Sequence, residues 1–307
     1  MLRVATFNVN GIRATQRRGF EQWLAGRDCD VVALQEVRCP VPLLPDGVFG
    51  TYHLAYDAGQ LAGRNGVAVL TREQPLGVRC WGAGALVRAP GDSHVELREP
   101  AERDVMAREL KAFATEGRYL EVDLADRPLT VASLYLPKGG LPAHLQDPAR
   151  SGREKPDGGA RYERKMRFLA GFARHLTRTR RRCAAQGREF LVMGDFNIAH
   201  DRLDIKNWRA NQKSEGFLPE ERAWLDQVLT PRTLVDVVRR LHPDTEGPYS
   251  WWSWMGQAFV KDSGWRIDYH FATPKLAKLA TSGGTDRAET YEARMSDHAP
   301  VVVDYDF

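Results

Sequence analysis

The sequence predicts an α/β chain in which two packed β-sheets are flanked by helices. Three observations carry this expectation: the apolar runs are short and β-rich, they outnumber the helical stretches, and the helices fall between them irregularly. A strict strand–helix alternation would instead indicate a doubly wound parallel sheet. The expected strands are Leu2–Phe7, Val31–Leu34, Val67–Leu70, Tyr119–Leu124, Leu129–Leu136, Phe190–Met193, Ile267–Ala272 and Pro300–Tyr305. Helices are expected over Phe20–Ala25 and over Arg161–Ala185, where Met166, Leu169, Phe172, Ala173 and Leu176 recur at helical spacing. Another helix opens at Pro219-Glu220-Glu221-Arg222, with proline in the first turn and acids behind it. Lys138–Gly159 and Arg202–Phe217 read as loops. No internal repeat or linker divides the chain, so residues 1–307 are expected to form one domain.

Composition bounds the function more loosely. Of 307 residues 43% are hydrophobic, enough to build a full core without disulfides. The net charge of +4 over 40 acidic residues permits a polyanionic partner without demanding one. The four cysteines, Cys29, Cys39, Cys80 and Cys183, contain no C-x-x-C pair, which argues against a zinc site or a disulfide framework. The start, Met1 to Phe7, reads as a strand rather than a leader, and no apolar run approaches the ~18 residues of a membrane span. A cytoplasmic protein with no membrane partner is expected.

One pattern recurs at the strand ends. Asn8 follows the first strand, Glu36 the second, Tyr135 closes the run before Pro137, and Asp195 and Asn197 follow Phe190–Gly194. Asp268 lies on the Trp265–Ala272 strand, and Asp297-His298 directly precede the last one. An apolar strand needs no carboxylate at its terminus, and burying one costs several kcal/mol unless it is paired or binds a metal. Taken singly, each of these residues is explained by a turn or a helix cap. Together, on strands whose ends meet at one edge of a sandwich, they make an active-site pattern.

The stretches that carry this pattern are Phe7-Asn8-Val9-Asn10-Gly11-Ile12-Arg13-Ala14, Leu34-Gln35-Glu36, Tyr135-Leu136-Pro137, Gly194-Asp195-Phe196-Asn197, Trp265-Arg266-Ile267-Asp268 and Ser296-Asp297-His298-Ala299-Pro300. In this order the sequence resembles the exonuclease III family of abasic-site endonucleases, within the endonuclease/exonuclease/phosphatase superfamily. The match runs from residue 2 to residue 306. The shorter motifs belong to the superfamily at large, whereas Asn8–Ala14 and Asn211–Trp224 resemble the DNA-repair branch. The resemblance implies a four-layered sandwich of two packed mixed β-sheets flanked by helices, similar to deoxyribonuclease I.

It also implies a Mg²⁺-dependent phosphodiesterase, with Mn²⁺ as a possible substitute, acting as a monomer on duplex DNA with abasic sites or 3′ ends. A hard cation of this kind takes oxygen ligands and keeps several waters, so one or two carboxylates suffice. Glu36 is the expected ligand, with Asn8, Asn10 and Asp297 as further contacts. By resemblance Asp195 accepts a proton from the attacking water, Asn197 orients water or phosphate, and Asp268 holds His298, whose other ring nitrogen meets a phosphate oxygen. Tyr135 would place its hydroxyl near the scissile phosphate. Asp195 and His298 both stay open as the base. Trp251, Trp265 and Ile267 fall where the family lines a pocket for a flipped abasic sugar, and Met255 where it inserts a residue into the helix. Arg13, Arg64, Asn65, Lys138, Lys213 and Arg266 complete the expected DNA contacts, while Trp252 and Trp254 read as aromatic core.

Two departures stand out. Lys138 replaces the amide that usually follows Tyr135-Leu136-Pro137, and Leu141 stands where the vertebrate branch carries an arginine. The loop to Gly159 is also long and charged, so product retention and the balance of endonuclease to exonuclease activity are expected to differ. Two rival readings share part of the pattern. A lipid or inositol phosphatase would keep Glu36, Asp195, Asn197, Asp268 and His298 without needing Asn8–Ala14 or the tryptophan pair. A DNA-binding protein without catalysis would have only Lys138 in its favour.

Overall fold

The computed structural model describes residues 1–61, 63–82, 84–92, 96–98, 106–149 and 155–307. The strands, numbered in chain order, form two sheets. The first has the order β13 (Ala280–Thr285), β14 (Val301–Tyr305), β1 (Leu2–Asn8), β2 (Val31–Gln35), β4 (Val67–Thr71), β3 (His53–Asp57), β6 (Ala85–Arg88) and β7 (Glu96–Arg98). The second runs β11 (Val235–Asp236), β12 (Asp268–Ala272), β10 (Glu189–Asp195), β9 (Leu129–Tyr135), β8 (Tyr119–Asp123) and β5 (Gly77–Cys80). Both sheets are mixed: β1 is parallel to β2 and antiparallel to β14, and β10 is parallel to β9 and antiparallel to β12.

Helices cover the outer faces and complete the four layers. Phe20 and Leu24 of α2 (Phe20–Arg27), with Ile12 of α1 (Ile12–Gln16), pack on Ala5, Phe7, Val32 and Leu34. Phe168, Phe172 and Leu176 of α3 (Ala160–Ala185), with Trp224 and Leu225 of α4 (Pro219–Val228), pack on Phe190, Val192 and Leu134. Two short helices, α5 (Val237–Leu241) and α6 (Pro274–Lys278), close one end of the inner core.

Alternation along the strands explains where the site falls. Successive side chains point to opposite faces, so residues two apart share one. In β1, Ala5 and Phe7 face the helices while Leu2 and Val4 enter the core between the sheets. That inner row continues through Thr6 to Asn8. The same progression runs Val31, Ala33, Gln35 in β2, Leu129, Val131, Ser133, Tyr135 in β9, and Leu191, Met193, Asp195 in β10. Each row is apolar at one end and polar at the other. A hydrogen-bonded layer separates the two regimes and joins the sheets: Thr6 Oγ1 donates to Gln35 Oε1 at 3.2 Å, and Gln35 Nε2 donates to Ser133 Oγ at 2.9 Å.

The structure differs from the sequence reading at the shorter elements. Strands β3, β5, β6, β7, β11 and β13 lack a sustained apolar run, and β13 carries Ser282-Gly283-Gly284. Helices α1, α5 and α6 have five residues each, too few to display a helical period. The buried face of α3 is Lys165, Phe168, Leu169, Phe172, His175, Leu176, Thr179 and Cys183, with Met166 and Ala173 at its margin. Residues 150–154 of the Lys138–Gly159 loop lie outside the described residues.

His270, in the inner row of β12, sits between the Tyr305 hydroxyl and the Val301 carbonyl, each at 3.2 Å. Burial holds its pKa down at about 4. The folded state therefore binds fewer protons than the unfolded chain as pH falls below ~6.5, and stability is lost in that direction. Between pH 7.5 and pH 5.0 this group should cost about 2 kcal/mol. Urea unfolding at both pH values checks it: the native chain loses that increment relative to His270→Gln, and equal losses in the two proteins would contradict the assignment.

Candidate active site

Parallel β1–β2 and β9–β10, with β12 antiparallel to β10, bring the polar row ends to one rim. Across the register Asn8 lies opposite Gln35, and Asp195 lies opposite both Tyr135 and Asp268. Asn8 joins the two sheets there, its Nδ2 donating to Glu36 Oε1 at 3.0 Å and to Asp195 Oδ2 at 2.9 Å. Gly194 allows β10 to approach β9 this closely: at φ 141° a Cβ would fall 1.9 Å from the Leu134 carbonyl oxygen. Beyond the strand ends the backbone enters left-handed conformations at Asn10, Glu36, Arg38 and Asn197 (φ 46–50°), all of them around the site. Such φ values are uncommon for Glu and Arg and cluster where surrounding structure enforces them.

Asp195 is buried and fully engaged. Asn197 donates to it twice, from its backbone N–H at 2.8 Å and from Nδ2 at 3.1 Å. Burial pushes the Asp195 carboxyl up to about 7, against the pull of His298 and these hydrogen bonds. His298 Nδ1 lies 2.8 Å from Asp268 Oδ2, leaving Nε2 pointing to the rim, 3.8 Å from Asp195 Oδ2. Burial disfavours the imidazolium, but the charges of Asp268 and Asp195 outweigh it and raise His298 to about 9. Burial also raises the Tyr135 hydroxyl to about 12, so it keeps its proton at neutral pH. Asp297 accepts from Asn10 Nδ2 at 2.7 Å and from Trp251 Nε1 at 3.2 Å. Burial works against its charge, yet His298 and those two donors hold it below the usual carboxylate range.

These oxygens fit a hard cation. Among the described residues no three His, Cys, Asp or Glu side chains close around one point, so a metal would rest on one carboxylate with amide and water oxygens, as Mg²⁺ tolerates. Glu36 is the side chain with spare capacity: its Oε2 is buried, pairs with the Arg38 guanidinium and receives no aligned hydrogen bond. Asn8, Asn10 and Asp297 surround it but already bond one another.

Beside the carboxylates stands an aromatic wall. Trp251 and Trp265 are half-buried and meet edge to face with centroids 6.1 Å apart. Ile267, Ala199, Ile205 and Phe217 pack behind them. Trp252 is core, as expected, whereas Trp254 is only half-buried, with the Arg294 guanidinium 4.2 Å from its ring centroid. Met255 projects from the neighbouring loop, 79% exposed. Arg13, Arg64 and Lys213 are exposed, Asn65 is tied to the Glu116 carbonyl at 3.0 Å, and Lys138 pairs with Glu215 at 3.2 Å.

Arg266 is a correction. It is 1% exposed, with Nε on Asp204 at 2.7 Å and Nη2 on Asp236 at 2.8 Å, so it cannot reach DNA. Trp265 and Ile267 share one face of the extended chain and Arg266 necessarily takes the other. The sequence reading also passed over Arg38, which pairs with Glu36 and donates to Asn10 Oδ1 at 2.5 Å. It passed over Ser250 too, which donates to Asp268 Oδ2 at 2.6 Å while accepting from the Ile267 and Asp268 N–H groups. Arg38 stands only two residues from Glu36, whereas its bond to Asn10 and that of Ser250 to Asp268 join residues distant in sequence, which no local pattern announces.

The rim of this two-sheet sandwich sets a buried carboxylate beside a carboxylate-held histidine, and the family and relatives that the chain matches make it a nuclease-type hydrolase. The chain belongs to the Endonuclease/Exonuclease/phosphatase family, whose profile matches residues 5–298. The family is one of metal-dependent nucleases. The chain is 28% identical to the DNA repair nuclease APEX1 of Danio rerio over 307 residues, covering 98% of this chain and 81% of that one. It is also 28% identical to an exodeoxyribonuclease of Bacillus subtilis, covering 98% of each. In structure it is similar to an AP endonuclease from Archaeoglobus fulgidus, with a TM-score of 0.75 and 24% identity over 100% of both chains, which bears out the two-sheet fold.

The Asp268–His298 contact predicts a measurable shift. In Asp268→Asn the His298 ring should titrate at least ~1 unit lower, because its nearest counter-charge is gone. Proton NMR of the ring checks this, and an unmoved titration would remove Asp268 as the anchor.

Proposed function

We propose that this chain is a single-domain, monomeric DNA-repair phosphodiesterase of the cytosol that incises duplex DNA on the 5′ side of abasic sites. It would also trim 3′ ends as a 3′–5′ exonuclease and 3′-phosphodiesterase or phosphatase. The observation that carries the reading is the placement of the Trp251–Trp265 wall directly against Asp297 and His298. Trp251 bonds Asp297 through Nε1 and pairs through its backbone with both Trp265 and His298. An apolar wall beside the scissile phosphate would favour a sugar that lacks its base over a full nucleotide, giving lesion specificity without base reading. The names of the zebrafish and Bacillus relatives, a DNA repair nuclease and an exodeoxyribonuclease, support DNA as the substrate. Among the described residues no helix is long and apolar enough to cross a membrane.

The chain's own groups supply the hydrolysis. Asp195 lies where it can take a proton from a water in line with the scissile bond, and Asn197 fixes the orientation of its carboxylate by two hydrogen bonds. The water oxygen bonds to phosphorus as the bond to the 3′ oxygen breaks. His298, held as a cation by Asp268, presents Nε2 to a non-bridging oxygen, where charge accumulates in the transition state. Tyr135 keeps its proton and can donate to a neighbouring phosphate oxygen. Mg²⁺ or Mn²⁺ held by Glu36, with Asn8, Asn10 and Asp297 around it, would neutralise phosphate charge and polarise the phosphorus–oxygen bonds. Arg13, Arg64, Asn65, Lys138 and Lys213 would contact phosphates along the duplex, and Met255 would enter the helix. Because Lys138 is engaged by Glu215, DNA must compete for it, which favours faster product release.

Incision of a duplex carrying one abasic-site analogue, with Mg²⁺ and with EDTA, tests this function. Nicking 5′ to the lesion only with metal is expected; intact DNA beside cleaved phosphoinositide would end the reading. Asp195→Asn should lower turnover by roughly 10²–10⁴-fold with duplex affinity nearly unchanged. Glu36→Ala should abolish metal stimulation at ordinary Mg²⁺ concentrations, and normal cleavage by that variant would displace Glu36 as the ligand.

A further inference from the structure

Lys165 is buried in the core-facing side of α3, 1% exposed, amid Phe168, Leu169 and Phe172. An ammonium has three N–H donors and no acceptor. Two of them are donated to the Asn197 carbonyl at 2.9 Å and the Lys138 carbonyl at 3.0 Å, and the charge pairs with Glu221 Oε1 at 2.6 Å without an aligned hydrogen bond. Glu221 is itself fully buried, and its other oxygen accepts the Leu218 N–H at 3.0 Å, capping α4. Two of the three contacts therefore fall on backbone of the loops that follow β9 and β10, which carry Lys138 and Asn197.

These loops are joined on the opposite side by Asn197 itself, whose Nδ2 bonds the Leu136 carbonyl at 2.9 Å and Asp195 Oδ2 at 3.1 Å. The Asn197 peptide is held in a left-handed conformation at φ 50°. The Asn197 carbonyl belongs to the following peptide, so releasing it frees ψ of Asn197 and, through the shared Cα, loosens the residue whose N–H and Nδ2 hold Asp195. The stem of Lys165 is fixed as well: Gly139, at φ 88°, lies so close that a Cβ there would fall 2.5 Å from Lys165 Cδ. A buried ion pair intended only to join α3 to α4 would not require the ammonium to reach two site loops.

We propose that Lys165 is a positioning residue, clamping the Asn197 and Lys138 loops from beneath so that Asn197 keeps Asp195 aligned on the attacking water. The proposal deepens the function given above and rests on it for its kinetic readout. Nothing in it requires Lys165 to touch substrate.

The test compares Glu221→Gln, which leaves Lys165 both carbonyls, with Lys165→Met/Glu221→Gln, which removes the clamp without leaving a lone buried charge. Incision of an abasic-site duplex under Mg²⁺ should show kcat roughly 10–100-fold lower in the double variant, with KM within about three-fold of the native value. The single variant leaves the ammonium unpaired and should be less stable, but with both carbonyl contacts kept its folded form should stay near native in kcat and KM. Hydrogen exchange followed by mass spectrometry gives a readout independent of any substrate: peptides over 194–200 and 136–139 should exchange faster in the double variant only. Native kcat and native exchange in a folded double variant would reduce Lys165 to a stabilising ion pair and overturn the proposal. If the native chain fails to incise abasic DNA while exchange at 194–200 still responds to Lys165, the proposed function falls and the clamp stands. Should the double variant not fold, Gly139→Ala pushes on the stem while keeping the charge, and should lower kcat and protection at 194–200 together; no change in either would likewise overturn the clamp.

Discussion

Side chains two apart on a strand share a face, and the site of this chain depends on that constraint. The rows that fill the space between the sheets with Leu2, Val4, Val31, Leu191 and Met193 continue, without changing face, into Asn8, Gln35 and Asp195. The core that stabilises the sandwich thus aims the residues at its rim. A slip of one residue in β10 would send Asp195 to the helix side and Phe196 to the rim. Gly194 fixes that register further, since only a residue without a side chain tolerates the Leu134 carbonyl at such a distance.

The rim gathers more negative than positive charge. Glu36, Asp195, Asp268 and Asp297 face Arg38 and His298, and the imbalance is what a divalent cation would offset. Asp195 is pushed toward neutrality by burial while His298 is kept cationic by its neighbours. The two are thereby set apart in role, a receptive carboxylate beside a fixed positive charge. The tryptophan wall limits what can lie against them. Trp251 serves both sides, bonding Asp297 with its indole N–H while its ring faces Trp265.

Much of this was legible in the sequence. Long apolar strands with a polar residue at one end are recognisable individually, and Asn8, Glu36, Asp195, Asp268 and His298 do converge. Strand β13 was hidden because Gly283 and Gly284 give it no apolar face. Arg266 was misplaced because its tryptophan and isoleucine neighbours drew it into their wall, although the two-residue period alone puts it opposite them. Lys165 carried a signal that went unused: it stands three and four residues before Phe168 and Leu169 and seven before Phe172, where a helix buries its apolar stripe. A cation at such a position calls for buried partners. Ser250 gave no signal, since its partner depends on how distant loops fold together; Arg38 stood two residues from Glu36, and only its bond to Asn10 depends on such folding.

The central claim is that this rim delivers water to phosphorus rather than opening the sugar by elimination. Incision of an abasic-site duplex in ¹⁸O-enriched water, with the fragments weighed by mass spectrometry, decides between them. Hydrolysis at the rim predicts one ¹⁸O in the 5′-terminal phosphate of the fragment carrying the abasic sugar, and a 3′-hydroxyl on the other. An unlabelled phosphate together with a 3′ unsaturated sugar would contradict the account.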